Sequence, residues 1–206
     1  MRDFFGGGEI PEGFNDTILV LIPKTKSPDT LSQFRPISPC NVLYKIAEKV
    51  LANRLKKSLL IMISEERSVF VPGRLIADNV LVAYESVHAI RKRKGKKPLC
   101  VVKLDMMKDY DQVEWVFLEN MMLKFGLSHA WTAMVMRWVT SARVAVKLNG
   151  DLSQGFLPSR GLRQGDPLSP YLFLFCVEGF YALLKKALQG VSYGRTGPNV
   201  THHLFA

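Results

Sequence analysis

Apolar positions along this chain follow two rhythms, one of period two and one of three to four residues. Residues 17–22 (TILVLI) are a short β-branched run stopped by Pro23, the signature of a strand. Residues 41–63 place Val42, Ile46, Val50 and Leu51 on one face, with Lys45, Lys49, Arg54, Lys56 and Lys57 over much of the remainder. That spacing predicts an amphipathic helix. Residues 76–90 predict a second through Val80, Tyr84 and Val87, and residues 99–104 (LCVVKL) have the composition of a buried strand. Further helices are expected at about 112–125, with Asp111 as N-cap and Gly126 as stop, and at about 129–140, opened by Ser128. Residues 142–148 alternate against 152–156 around Asn149-Gly150, a strong hairpin signal. The longest helix is expected from Pro167 to about residue 188, with Ser169 serving its first-turn N–H groups, and residues 200–206 read as another strand. Strands separated by helices and joined by a hairpin predict an α+β fold, an antiparallel sheet with helices packed on one face.

The totals narrow the classes. The chain has 206 residues, 48% of them hydrophobic, which suffices for one large domain or two small lobes. No apolar run is long enough to span a bilayer, and the first residues lack the pattern of a signal peptide. An intracellular setting, nucleus or cytoplasm, with no membrane partner is expected. Cys40, Cys100 and Cys176 are odd in number and sit among apolar neighbours, so they read as reduced core thiols and not as a disulfide framework or zinc site. Twenty-eight Lys and Arg against 18 Asp and Glu give a net charge of +10, which favours a polyanionic partner. Arg91, Lys92, Arg93, Lys94, Lys96 and Lys97 form the densest cluster; it reads as a solvated loop, a direct phosphate contact or a localisation signal. Oligomeric state is not legible.

Two segments carry candidate chemistry. Residues 159–170 (SRGLRQGDPLSP) place Arg160, Arg163 and Gln164 beside Gly165, where the backbone can approach a ligand closely, and Asp166 sits in the same flexible lip. A basic, glycine-hinged lip before a helix suits phosphate or nucleobase contact; the plainer reading is a loop that launches a core helix. Asp105 ends the apolar run VVKLD. A carboxylate there must be paired, hydrogen-bonded or metal-bound, and Mg²⁺ favours such oxygen ligands. A helix cap, or pairing with Lys103 or Lys108, would equally satisfy it. Asp109 and Asp111 are nearby carboxylates that could be no more than a solvated turn.

LIPK (21–24), FRPIS (34–38), KLDMMKDYDQVEW (103–115) and SRGLRQGDPLSP occur in that order. So ordered, they resemble the reverse transcriptase domain of non-LTR (LINE-type) retrotransposons, especially those of plant genomes, from about residue 13 onward. The resemblance implies a right-hand polymerase, with a fingers region over residues 1–98 and a partial palm over 99–206. It implies an RNA template, a DNA primer and dNTP as partners, and Mg²⁺ or Mn²⁺ as the ion of two-metal phosphoryl transfer. Asp105 resembles the catalytic, metal-binding aspartate, and Tyr110 the gate whose ring excludes a ribose 2′-hydroxyl. Lys24 and Arg35 resemble residues gripping the triphosphate, and Gln164 and Gly165 the motif lying against the nascent base pair. Arg160, Arg163 and the 91–97 cluster would take nucleic-acid phosphates. Met107 and Asp109 depart from the family's usual Ser and Ala; like charge beside the gate opposes a triphosphate. The family's next motif is Phe-Ala and two aspartates, so the sequence is expected to be an excerpt ending just before them. It is expected to be inactive alone, since two ions need at least two converging carboxylates. The alternative is a catalytically dead nucleic-acid-binding remnant.

Overall fold

A computed structural model of the chain describes residues 8, 10, 11, 13–63, 76–92, 101, 102, 106, 108–188, 191, 192, 199 and 200. The described elements are β1 (Asp16–Pro23), a 3₁₀ turn (Leu31–Gln33), β2 (Phe34–Ile37), α1 (Val42–Met62), α2 (Ile76–Lys92), a 3₁₀ turn (Tyr110–Gln112), α3 (Trp115–Lys124), α4 (His129–Thr140), β3 (Arg143–Leu148), β4 (Asp151–Leu152), α5 (Ser169–Ala187), β5 (Val191–Ser192) and β6 (Asn199–Val200). The chain gathers into two compact units. The first comprises Met1–Leu55 with Lys108–Cys176, the second Lys56–Met107 with Val177–Ala206.

The first unit holds a four-stranded sheet in the order β2-β1-β3-β4. β1 runs antiparallel to β2 and parallel to β3, with Asp16 opposite Arg143 and Leu19 opposite Val146. The expected antiparallel sheet is therefore a mixed one within an α+β element set. A parallel pair requires a crossover connection, and the long helical stretch between β1 and β3 supplies it. The hairpin falls where Asn149-Gly150 predicts it: both residues have positive φ, 53° and 100°, as a type I′ turn requires. Its second arm is shorter than residues 152–156. β4 stops at Leu152, Ser153 still exchanges bonds with Val146, and Phe156 regains the ladder at Val144.

α1 buries Tyr44, Ala47, Glu48, Leu51, Ala52 and Leu55, a stripe with i, i+3, i+4 and i+7 spacing. The expected face is corrected: Val42 and Ile46 are exposed, and the alanines at 47 and 52 mark where neighbours approach closely. Aromatic stacking sets that approach. The rings of Tyr44 and Trp138 on α4 lie 4.4 Å apart and nearly parallel, and Phe14 meets both near 6 Å. Ser128 caps α4 by accepting from the Trp131 N–H, as its position implies. α3 is corrected at its start. Asp111 lies inside the preceding 3₁₀ turn, and the helix begins three residues later, at Trp115, with Glu114 as an N-cap that makes no side-chain bond. Lys108, at φ 55°, closes a tight turn whose carbonyl takes the N–H groups of Asp111 and Gln112; those bonds outcompete a cap. At α5 the Leu168 carbonyl, and not the Ser169 side chain, receives first-turn N–H groups.

The second unit holds α2, the ends of α1 and α5, and the β5–β6 pair. Val80, Tyr84 and Val87 of α2 stand exposed, since periodicity identifies an apolar stripe but not a partner for it. In the expected strand 99–104, only Val101 and Val102 are described; neither lies in a strand, and they are 60% and 71% exposed. Residues 201–206 lie outside the described residues. No helix is long and apolar enough to cross a membrane among the described residues.

Removing the cap with Ser128→Ala should destabilise the fold by about 1 kcal/mol, read as a lower urea midpoint at unchanged slope.

Candidate nucleic-acid interface and its buried clamp

The aspartate-tyrosine segment and the glycine-rich segment are hydrogen-bonded along their backbones. Gly161 N–H donates to the Val113 carbonyl at 2.8 Å and Leu162 N–H to that of Tyr110 at 2.7 Å. Trp115 Nε1 donates to the Gly161 carbonyl at 2.8 Å, and Arg160 pairs with Glu114 at 3.3 Å. Gly161 has φ 94°, and a Cβ there would meet the Asp111 backbone at 3.1–3.4 Å. Only glycine supplies both that conformation and that contact.

Beyond this junction, Arg163 and Asp166 turn inward. Asp166 is 4% exposed. Arg163 Nε donates to its Oδ2 at 2.8 Å, and the Cys40 thiol to its Oδ1 at 2.8 Å. Arg163 also donates to Thr17 Oγ1 on β1, and its guanidinium lies 4.3 Å over the Tyr44 ring. Tyr44 is thus sandwiched between a cation on one face and Trp138 on the other. Trp138 Nε1 donates to Glu48 Oε1 at 3.0 Å. Burial, reinforced by the Asp166 charge, pushes the Glu48 carboxyl up to about 10, so it is protonated at neutral pH. Burial, with the same aspartate second, raises the Cys40 thiol to about 12. That thiol is a hydrogen-bond donor, not a nucleophile.

The clamp corrects the expectation of a flexible lip at Asp166. Arg163 is spent on internal partners, its side chain 11% exposed, which leaves it poorly placed for phosphate. Between Arg163 and Asp166, Gln164 is half-buried and Gly165 exposed. Gly165 has φ 100° with nothing within 4 Å of an added Cβ, so its conformation, not crowding, calls for glycine. Gln164 lines a cavity of about 510 Å³. Leu19, Leu21, Phe34 and Val146 supply apolar wall, and Lys108, Asp111 and Arg160 polar groups. Burial raises the Asp111 carboxyl, and Lys108 opposes that. The Tyr110 ring stacks on Phe173 at 4.7 Å, and burial, then the Asp109 charge, raises its hydroxyl.

The remaining expected residues divide by place. Lys24 is exposed at the end of β1, its ammonium donating to the Ser32 carbonyl, and Arg35 is exposed on β2. Arg91 and Lys92 are exposed at the end of α2 in the second unit. Asp105, Met107, Arg93, Lys94, Lys96, Lys97 and Cys100 lie outside the described residues. Among the described residues no group of three or more His, Cys, Asp or Glu could hold a metal ion. Sequence reasoning missed Glu48 and Trp138, and it read Cys40 as a reduced core thiol without its bond to Asp166. The available signal was Glu48 itself, a carboxylate four residues after Tyr44 on an otherwise apolar stripe.

Residues 22–206 match the family described as reverse transcriptase (RNA-dependent DNA polymerase). The chain is 32% identical over 191 residues to the transposon TX1 uncharacterized 149 kDa protein of Xenopus laevis, covering 93% of this chain and 14% of that protein. It is 28% identical over 166 residues to the Pol polyprotein of the type-2 retrotransposable element R2DM of Drosophila melanogaster, covering 81% and 15%. A type-1 element R2 polyprotein of Popillia japonica is 25% identical over 167 residues, covering 81% and 23%. The chain thus spans less than a quarter of the length of each of these relatives.

Two outcomes follow from the clamp. Arg163→Met strands the buried Asp166 charge and should cost about 3–5 kcal/mol, whereas Arg160→Met, at an exposed pair, should cost less than about 1 kcal/mol; urea unfolding of the two variants checks this. Glu48 has a folded-state pKa above its unfolded one, so its stabilisation is full below pH 4.5 and is lost as pH rises toward about 10. The unfolding free energy should therefore fall from pH 5 to pH 9, by at most about 1.4 kcal/mol per pH unit, and Glu48→Gln should flatten that slope.

Proposed function

The chain belongs to the reverse transcriptase family, and we propose that it forms part of an RNA-directed DNA polymerase of a LINE-type (non-LTR) retroelement. The observation that carries the reading is the family match across residues 22–206, joined to the backbone-bonded junction of the two motif segments. Its substrates are an RNA template, a DNA primer and dNTP. In this reading residues 1–98 serve as fingers and 99–206 as part of the palm.

Tyr110 is the gate. Its stack on Phe173 holds the ring in one orientation, the condition for excluding a 2′-hydroxyl by shape. Gln164 and Gly165, bracketed by the Arg163–Asp166 clamp, lie against the nascent base pair, and the exposed cations Lys24 and Arg35 take triphosphate oxygens. Asp105 is the catalytic residue and the expected ligand of Mg²⁺ or Mn²⁺, which would neutralise charge developing on the transferred phosphoryl group. Arg160, Arg91 and Lys92, with the cluster through Lys97, contact nucleic-acid phosphates, in keeping with the +10 balance.

Fluorescence anisotropy with a primed RNA template tests this. Affinity should fall steeply as salt rises from 50 to 200 mM, roughly tenfold or more for a few phosphate contacts. Absent binding, or affinity indifferent to salt, would count against the proposal.

A further inference from the structure

The sheet carries a second opening, of about 780 Å³, at the start of β1 and β3. That volume lies within the range of small-ligand sites. Gly13, Asn15, Asp16, Ser141, Arg143 and Gly155 line it. Alternation along the strands turns Asp16 and Arg143 to the face opposite Thr17 and Val144, away from the cavity at Gln164. The two openings are separate.

Two features of the second opening point to a ligand. Asp16 and Arg143 are register partners of opposite charge, both exposed, yet they form no ion pair with each other or with any other described residue. The Arg143 side chain lies across Gly155, with Nε 2.6 Å from where a Cβ would stand, so only glycine leaves room for it there. The wall therefore offers a guanidinium donor, Arg143, beside a carboxylate acceptor, Asp16.

A complementary ligand bears an anion next to a hydroxyl donor. The RNA backbone has this pair in every residue, a phosphodiester and a 2′-hydroxyl; DNA has only the first. Guanidinium suits phosphate, and an acidic side chain that accepts from a ribose hydroxyl is a familiar pairing. We propose that this opening is a ribose–phosphate subsite for RNA, in which Arg143 holds a phosphate and Asp16 accepts a hydrogen bond from a 2′-hydroxyl. The inference rests on the chain being an RNA-binding polymerase segment, and it adds a place, outside the polymerase cavity, where RNA is told from DNA.

The test titrates the 206-residue chain with RNA, DNA and 2′-O-methyl RNA of one sequence, read by fluorescence anisotropy at low salt. Arg143→Ala should weaken RNA and DNA alike and lower the salt slope by about one phosphate. Asp16→Ala separates the proposal from plain electrostatics. Removing a negative charge from a nucleic-acid surface should strengthen every complex, whereas loss of the hydroxyl contact should weaken RNA roughly tenfold and leave DNA unchanged or tighter. RNA and DNA tightening together would overturn the proposal. So would an unaltered affinity in Arg143→Ala. The wild-type chain needs no variant: 2′-O-methyl RNA should bind it as DNA does, and full RNA-like affinity for the methylated strand would also overturn it. Salt-dependent binding with no RNA–DNA difference sinks the subsite alone, while no binding at any salt sinks the polymerase reading too.

Discussion

Everything in the first unit converges on a buried carboxylate. Asp166 has almost no contact with water, so its charge must be met from within. Several stretches of the chain, from β1 to α4 and the glycine-rich segment, supply what it needs. Arg163 comes from the glycine-rich segment, Cys40 from the end of the second strand region, and Thr17 from β1 anchors the arginine. Tyr44 and Glu48 of α1, backed by Trp138 of α4, close the surround. None of these groups is well placed without the others. Glu48 is neutral because it is buried and, second to that, because Asp166 lies beside it, and Arg163 is fixed because both an aromatic face and a carboxylate hold it.

The motif thereby divides its labour. Arg163 and Asp166 bracket Gln164 and Gly165 in sequence, and the bracketing residues pair inside while Gly165 stays exposed and Gln164 lines the cavity. A side chain that must meet a nascent base pair needs a rigid mount more than reach, since positional error of an ångström is costly at a reacting centre. In the same segment, Gly161 fixes the spacing to the gate by packing on the backbone of Asp111. The two motifs are thus held in register by main chain rather than by side chains that vary freely.

Local signals were legible wherever a local cause sufficed. Ser128 and Gly126 marked helix ends, and Asn149-Gly150 marked the hairpin, because caps and turns depend on a few adjacent residues. The parallel pairing of β1 with β3 was not legible, since it is set by a crossover of many residues. Asp111 misled for a related reason: its cap-like position competes with a turn at Lys108 whose left-handed backbone no composition rule flags. The expected order of motifs brought Tyr110 and Gln164 to attention. It did not show that Arg163 is internal, because a lone arginine in a basic sequence looks the same whether its carboxylate partner is protein or its phosphate partner is nucleic acid.

The pairing of β1 with β3 also has a bearing on synthesis. β1 emerges from the ribosome long before its neighbour: Asn15 and the Trp138 carbonyl it bonds are 123 residues apart. At about 5–20 residues per second, the strand TILVLI waits on the order of ten seconds with one edge unmet. During that wait β2 can cover the other edge as a local hairpin-like partner, but the β3 side stays open to any strand that comes along. An unpaired edge of that duration is where this chain is most open to mispairing with another copy of itself.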